Sequence, residues 1–118
     1  MTIKTILHFS DVHLNTSLDA AQYGFDSSIG LYDSALQFAQ RNIVTPDFVL
    51  YTGDHAVHGS HSRAELLANV ERNVDMMKTY FPMANYTAIV GNSDSGTSIL
   101  SWIYTYIERL IKVDNDRA

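Results

Sequence analysis

The sequence predicts an α/β fold in which strands and helices alternate in the order β-α-β-α-β-α and form a mostly parallel sheet. Short runs of β-branched and apolar residues occur at residues 3–9, 47–52 and 86–90. Apolar residues recur at helical spacing between these runs and again after the last one. Elements that alternate at these lengths are typical of a parallel sheet with right-handed crossovers.

The bulk composition limits the classes of function. The chain has 118 residues, of which 46% are hydrophobic, so we expect one domain with a modest core. Its net charge is −5 and it has no Lys/Arg cluster, which argues against nucleic acid or an anionic membrane as the main partner. No apolar run is long enough to span a membrane, and no cysteine is available for disulfides or thiolate metal sites. The first residues lack the apolar core of a signal peptide, and the cellular location stays open.

The first strand is predicted over residues 3–9, which contain no strand-breaking residue. Residues 10–30 are irregular, and a loop of this length in a compact domain is often functional. Residues 30–41 are predicted to form a helix that ends before Pro46. We expect this helix to bury one face, formed by Leu31, Ala35, Phe38 and Ala39.

The second strand is predicted over residues 47–52 and leads into a loop of glycine, histidine and serine residues at 53–61. Ser62 and Glu65 form a capping-box pattern at the start of a helix predicted over roughly residues 63–80. This helix has the strongest periodicity in the chain, with apolar residues at Leu66, Val70, Val74, Met77 and Phe81. We interpret Met76 and Met77 as core filler.

The third strand is predicted over residues 86–90. Thr97 or Ser98 is expected to cap a last helix, and the polar residues from 114 onward are expected to fray. The apolar face of that helix is formed by Ile99, Trp102, Ile103, Ile107 and Leu110.

Polar side chains follow each predicted strand. Asp11 and His13 follow the first strand, Asp54 follows Gly53 after the second, and Asn92 follows Gly91 after the third. Each motif alone is more often a plain turn. However, the carboxyl ends of parallel strands meet at one edge of a sheet, where ligands bind. The three motifs together therefore predict one site.

The donor types of this site indicate a metal. Carboxylate, imidazole and amide oxygen suit borderline or hard ions such as Zn, Fe or Mn. A carboxylate between two ions about 3.5–4 Å apart can bridge them, and both ions then act on a phosphoryl group. Asp54, at the middle of the three strand ends, is the candidate bridge.

As a set, these motifs resemble the calcineurin-like metallophosphoesterases, whose pattern is Asp-x-His, then Gly-Asp, then Gly-Asn-His-Asp/Glu. The corresponding segments here are Asp11-x-His13, Gly53-Asp54 and Gly91-Asn92-Ser93-Asp94. Similar patterns cover residues 5 to about 97.

A narrower resemblance is to the acid sphingomyelinase-like phosphodiesterase and endopolyphosphatase branch of that family. A histidine four residues after the aspartate of Gly-Asp is characteristic of the branch, and His58 stands there. The branch also has a Cys-Asp-Ser segment that leads into the first helix. The segment Phe25-Asp26-Ser27 is similar to it, with Phe25 in place of the cysteine.

The resemblance implies a binuclear centre of two divalent or transition metal ions (Zn, Fe or Mn) and a metal-activated water. Asp11, His13 and Asp54 would hold one ion, and Asp54 and Asn92 would begin the second site. His58 is the implied catalytic residue, near the phosphate and able to help protonate the leaving oxygen. The implied reaction is hydrolysis of a phosphodiester or polyphosphate, and the substrate would be a small phosphoester, a lipid headgroup or polyphosphate.

Two departures from the family pattern leave a rival hypothesis open. Ser93 stands where the family has a histidine, and no histidine follows His61, although the family has a later His and a Gly-His-x-His. The resemblance implies an α/β/β/α sandwich, and we expect residues 1–118 to form a single, partial domain with about its first half. The alternative is a truncated, non-catalytic remnant with a partial metal site.

An unrelated doubly wound domain is a weaker hypothesis. A receiver-like site would need paired acidic residues after the first strand and a later lysine, and a nucleotide-binding module would need a glycine-rich loop there. Neither pattern is present. Among the other histidines, we expect His8 to be packed or at the surface, and His55 and His61 to be solvated.

Overall fold

A computed structural model describes residues 2–43, 45–55, 57–59 and 62–89 of the chain. The elements follow in the order β1 (Ile6–Phe9), α1 (Ile29–Asn42), β2 (Phe48–Tyr51), α2 (Arg63–Tyr80) and β3 (Asn85–Ala88). The strands form one sheet in the order β1-β2-β3, and both pairs are parallel. The predicted α/β fold with a parallel sheet is therefore confirmed. The last predicted helix lies outside the described residues.

The strand register brings the carboxyl ends of the strands level with one another. Phe9 pairs with Tyr51, and Tyr51 pairs with Ala88. The ladder continues one step further, because the amide of Thr52 donates to the carbonyl of Phe9 (3.0 Å). The loops after β1 and β2 therefore start side by side at the same edge of the sheet.

Both helices cover the same face of the sheet. Leu7, Val49 and Tyr51 alternate with outward-facing residues along their strands and are buried in one cluster with helix residues. Ile6 and Phe48 point to the opposite face and are 60% and 42% exposed. This alternation follows from the two-residue period of a strand.

Helix α1 buries a different face from the predicted one. Leu31 and Phe38 are 47% and 70% exposed, so the predicted inward face is wrong for these two residues, whereas Ala39 packs against the core as predicted. The buried residues are Tyr32 and Leu36, with Ala39 and Ile43 packed against the same cluster. Apolar residues of α1 fit two neighbouring helical stripes, and sequence periodicity cannot choose between them.

Helix α2 matches its prediction. The Ser62 hydroxyl accepts from the amide of Glu65 (3.2 Å), and the Glu65 carboxylate accepts from the amide of Ser62 (2.7 Å), which completes the capping box. Met76 and Met77 lie in the core as predicted. The predicted apolar stripe is also buried and consists of Leu66, Val70, Val74, Met77 and Phe81.

The strands are shorter than the apolar runs that predicted them. β1 starts at Ile6 rather than at residue 3, and Thr5 and Asp47 are hydrogen-bonded to each other just before the first strand pair, Ile6 with Phe48. The amide of Thr5 donates to the Asp47 carboxylate (2.8 Å), and the amide of Asp47 donates to the carbonyl of Thr5 (2.9 Å). Within the described ranges, no helix is long and apolar enough to cross a membrane.

Candidate metal centre

Asp11 and His13 follow β1, and Asp54 follows β2, and all three adopt a left-handed backbone conformation. Their φ angles are 54°, 44° and 56°, and Gly53 has a φ of 105°. A residue with a side chain is strained there by about 1–3 kcal/mol, and such strain concentrates at functional sites. Three such residues at one sheet edge make this edge the candidate site.

The two strand-end segments run beside each other beyond the sheet. The amide of Asp11 donates to the carbonyl of Gly53 (3.1 Å), that of His13 to Asp54 (3.0 Å) and that of Leu14 to His55 (3.0 Å). These backbone contacts bring the polar groups of the two segments together.

The three side chains converge on a common point. The Nε2 atom of His13 lies 3.9 Å from Oδ1 of Asp11 and 3.6 Å from Oδ2 of Asp54. One donor atom from each residue lies within 4.8 Å of the other two. Two ligands of a tetrahedral ion with bonds of ~2.1 Å lie ~3.4 Å apart, so the group fits one metal ion with small adjustments.

Burial differs among the three residues. The side chains of His13 and Asp54 are 13% and 14% exposed, whereas that of Asp11 is 65% exposed. If a metal ion binds at this point, His13 and Asp54 would be its buried ligands and Asp11 would be its solvent-exposed ligand.

His58 lies against His13 and is held by Asp26. The His58 ring stacks on the His13 ring, with centroids 3.9 Å apart. Its Nδ1 donates to Oδ1 of Asp26 (2.5 Å), and its amide donates to Oδ2 of the same carboxylate (2.8 Å). The hydrogen bond to Asp26 and the negative charge of Asp26, with a smaller contribution from Asp54, raise the pKa of His58 above its ordinary value.

Asp26 reaches this position through an isolated parallel bridge between Leu14 and Ser27. The amide of Ser27 donates to the carbonyl of His13 (3.1 Å), and the amide of Asn15 donates to the carbonyl of Ser27 (2.8 Å). Asp26 precedes Ser27 and is therefore placed beside His13. The long loop between β1 and α1 thus contributes directly to the site.

Asp26 was not among the predicted site residues. The signal that could have found it is the Asp of the segment Phe25-Asp26-Ser27, which was noted only as a resemblance. His13, Asp26 and His58 form a second group whose donor atoms lie within 4.8 Å of one another. Because Asp26 and His58 are already at hydrogen-bonding distance, we interpret them as a directly bonded pair and not as two ligands of one ion.

His55 does not lie where it was predicted. Instead of being solvated, its side chain is fully buried, and its ring stacks on Tyr51 with centroids 3.9 Å apart. The backbone at His55 is joined to the segment after β1, because the carbonyl of His55 accepts from the amide of Leu14.

The remaining predicted residues fall into two groups. His8 is at the surface, as expected, and its Nε2 shares a hydrogen bond with the hydroxyl of Thr52 (2.8 Å). Asn92 and His61 lie outside the described residues. Their predicted roles therefore stay predictions.

An open pocket of about 210 Å³ lies next to the segments that carry His13 and His58. Its lining comes from the loop after β1, from Val57 and from the first turns of α2. The lining residues include Asn15, Thr16, Ser17, Glu65 and Asn69.

Comparisons with known proteins identify the family of this chain. The family model for calcineurin-like phosphoesterases matches residues 4–117. The chain is 31% identical over 112 residues to acid sphingomyelinase-like phosphodiesterase 3b of Mus musculus. This match covers 74% of the chain and 25% of the relative. It is 29% identical over 76 residues to sphingomyelinase phosphodiesterase C of Dictyostelium discoideum, which covers 62% of this chain and 17% of the relative. The chain thus spans a quarter or less of the length of these curated relatives.

Proposed function

Because the chain belongs to the calcineurin-like phosphoesterase family, we propose that it acts in the metal-dependent hydrolysis of phosphoesters. The observation that carries this proposal is the convergence of Asp11, His13 and Asp54, whose donor atoms lie within 4.8 Å of one another at the sheet edge. All three residues hold a strained backbone conformation there.

The proposed centre is binuclear. Asp11, His13 and Asp54 would hold the first ion, and Asp54 and Asn92 would contribute to the second. Two carboxylates and an imidazole suit Zn, Fe or Mn, which leaves the identity of the metal open. When bound, the ions would supply Lewis-acid polarisation of the phosphoryl group and a water of lowered pKa.

His58 is the proposed proton donor to the leaving oxygen. Its Nδ1 faces Asp26, so Nε2 is the ring nitrogen that can reach a substrate. The pairing with Asp26 raises the pKa of His58, which favours the protonated form that a general acid needs. Asp26 holds His58 through both of its oxygens, because Oδ1 accepts from the ring Nδ1 and Oδ2 accepts from the backbone amide, and it acts as a positioning residue.

The proposed substrate is a phosphodiester or a polyphosphate. Two relatives carry the word phosphodiesterase in their names, which supports a diester. A small phosphoester, a lipid headgroup and polyphosphate all present the same charged phosphoryl oxygens. The substrate class is therefore proposed no further than that shared chemistry.

As a second candidate, the chain is a non-catalytic remnant of the same fold that has only a partial metal site. Ser93 in place of the family's histidine favours this alternative. We propose in either case that residues 1–118 belong to a single domain of this family.

Elemental analysis of the purified chain tests the proposal, with Asp54→Asn as the variant and Asp75→Asn as the control. Asp75 is an exposed carboxylate on α2 outside both donor groups. We expect about two ions per chain, lost in Asp54→Asn and kept in Asp75→Asn, together with hydrolysis of bis(p-nitrophenyl) phosphate. One ion without hydrolysis would favour the remnant. Equal metal in Asp54→Asn and the unaltered chain would contradict the ligand assignment.

A further inference from the structure

A chain of buried polar groups runs from the two helices to the backbone between Asp11 and His13. The amide of Val12 donates to the phenolic oxygen of Tyr51 (3.2 Å). The neighbouring amides of Asp11, His13 and Leu14 donate instead to backbone carbonyls. Val12 therefore depends on a side chain where its neighbours depend on the backbone of the adjacent segment.

The Tyr51 phenol is itself held in place by residues of the helices. Asn73 of α2 donates from Nδ2 to the same phenolic oxygen (3.2 Å), and Tyr32 of α1 donates to Oδ1 of Asn73 (2.7 Å). Tyr32, Tyr51 and Asn73 are at most 2% exposed. The ring of Tyr51 also stacks on the buried ring of His55.

This arrangement acts on a strained turn. Residues keep a left-handed backbone conformation only where several contacts from the surrounding structure hold them in it. Val12 lies between two such residues, Asp11 and His13. Loss of its acceptor would leave a buried amide unpaired and remove one of the contacts that oppose relaxation of the turn.

We propose that Tyr51, supported by Asn73 and Tyr32, is a positioning residue that keeps Asp11 and His13 in the geometry that binds metal. This rests on the proposed function for the ligand role of Asp11 and His13. Groups behind ligating residues commonly change metal affinity about 10–100-fold when removed. Tyr32 and Asn73 lie on helices, outside the donor groups, and act only through Tyr51.

The test compares Tyr51→Phe with Tyr86→Phe. Tyr86 is a matched control: it is a buried tyrosine on the neighbouring strand, and its hydroxyl donates to the carbonyls of Met77 (3.2 Å) and Phe81 (2.5 Å). Both variants lose a buried phenolic hydroxyl and its hydrogen bonds and keep the aromatic ring. They differ in that Tyr51 contacts the turn of Asp11 and His13 and Tyr86 contacts the end of α2.

Two measurements are made on the full chain. Calorimetric titration with Zn²⁺ gives the affinity, and hydrogen exchange of the Val12 amide by NMR, in the metal-free chain, gives the order of the turn. We expect Tyr51→Phe to weaken Zn²⁺ binding about tenfold and to speed Val12 exchange, with a smaller change in Tyr32→Phe. We expect Tyr86→Phe to leave both measurements unchanged although it also lowers thermal stability.

Zn²⁺ affinity and Val12 exchange that stay at the unaltered values in Tyr51→Phe would overturn the proposal. An equal change in Tyr86→Phe would do the same, because it would reveal a general effect of stability. If Tyr51→Phe fails to fold, Tyr32→Phe decides on the same two measurements. If the unaltered chain binds no Zn²⁺, the proposed function fails, and Val12 exchange in the metal-free chain still decides whether Tyr51 holds the turn.

Discussion

His58 Nδ1 lies 2.5 Å from Oδ1 of Asp26, a residue 32 positions earlier in the chain. The contact joins the loop before α1 to the loop after β2, and it places an imidazole and its carboxylate partner over His13. A carboxylate bonded to one nitrogen of a histidine fixes the ring and favours its charged form. The pair therefore suits the proton-donor role that we propose for His58.

If His58 and Asp26 act as one unit, their substitutions should not add. We expect Asp26→Asn and His58→Gln each to slow hydrolysis of bis(p-nitrophenyl) phosphate by about 10²-fold or more, with unchanged metal content. The double variant should be no slower than His58→Gln alone, because Asp26 acts through His58. Additive losses in the double variant would show that Asp26 has a role apart from His58. Asp75→Asn, at an exposed carboxylate of α2, is the control for a general effect of charge.

The metal group could be predicted from the sequence because parallel topology forces the strand ends together. Once the strands are recognised in the sequence, the parallel sheet places the segments that carry Asp11, His13 and Asp54 at one edge. Their role as ligands stays a prediction. Asp26 and His55 could not be predicted in the same way, since both are placed by loop contacts, namely the Leu14–Ser27 bridge and the bond from Leu14 to His55. Loop contacts have no period that a sequence reveals.

The two helices show that prediction from sequence is also limited within regular secondary structure. α2 has one apolar stripe and an N-terminal capping box, so its bounds and its buried face were both predicted correctly. α1 has two adjacent stripes, and the buried one includes Tyr32, whose hydroxyl finds its partner only in Asn73 of α2. The choice between the stripes is thus made by tertiary packing and not by propensity.

Paired truncations test which stripe of α1 is buried. We expect Leu36→Ala to lower the free energy of unfolding by about 2–5 kcal/mol, because Leu36 is fully buried and the change leaves a cavity. Leu31→Ala removes the same atoms from a side chain that is 47% exposed, and it should cost about 0.5 kcal/mol or less. Urea denaturation followed by circular dichroism measures both. A larger loss for Leu31→Ala would restore the face that the sequence predicted.

The strain at the strand ends should appear as a conflict between stability and metal binding. We expect Asp11→Gly to raise the free energy of unfolding by up to ~1 kcal/mol or leave it unchanged in metal-free buffer, because glycine tolerates a φ of 54°. The same variant should bind Zn²⁺ more weakly. Asp19→Gly is the control, since Asp19 is an exposed loop residue outside the positive-φ set, where glycine should cost ~0.5–1 kcal/mol. If the two variants lose equal stability in urea, the backbone of Asp11 is not strained.

Asp47 should control stability in acid from the sheet edge opposite the metal centre. Its carboxylate accepts from the amide of Thr5 and lies 3.5 Å from the Lys4 ammonium, and its backbone carbonyl accepts from the amide of Asn85 (3.0 Å). The hydrogen bond from Thr5, with a smaller contribution from Lys4, holds the pKa of Asp47 below its ordinary value of 3.8. A carboxyl group with a lower pKa in the folded state stabilises the fold above its unfolded pKa, and this stabilisation is lost as pH falls through the folded pKa.

We therefore expect the unaltered chain to lose stability as pH falls below about 4, and Asp47→Asn to reduce the slope of that loss. Above about pH 5 the variant should be the less stable of the two, because the charged acceptor is missing. Thermal melts from pH 2.5 to 7 compare the two chains, with Asp75→Asn as a control on the exposed face of α2. If stability falls with pH equally steeply in Asp47→Asn, other carboxyl groups cause the loss of stability in acid. The hydrogen bond from Thr5 to Asp47 would then not be its cause.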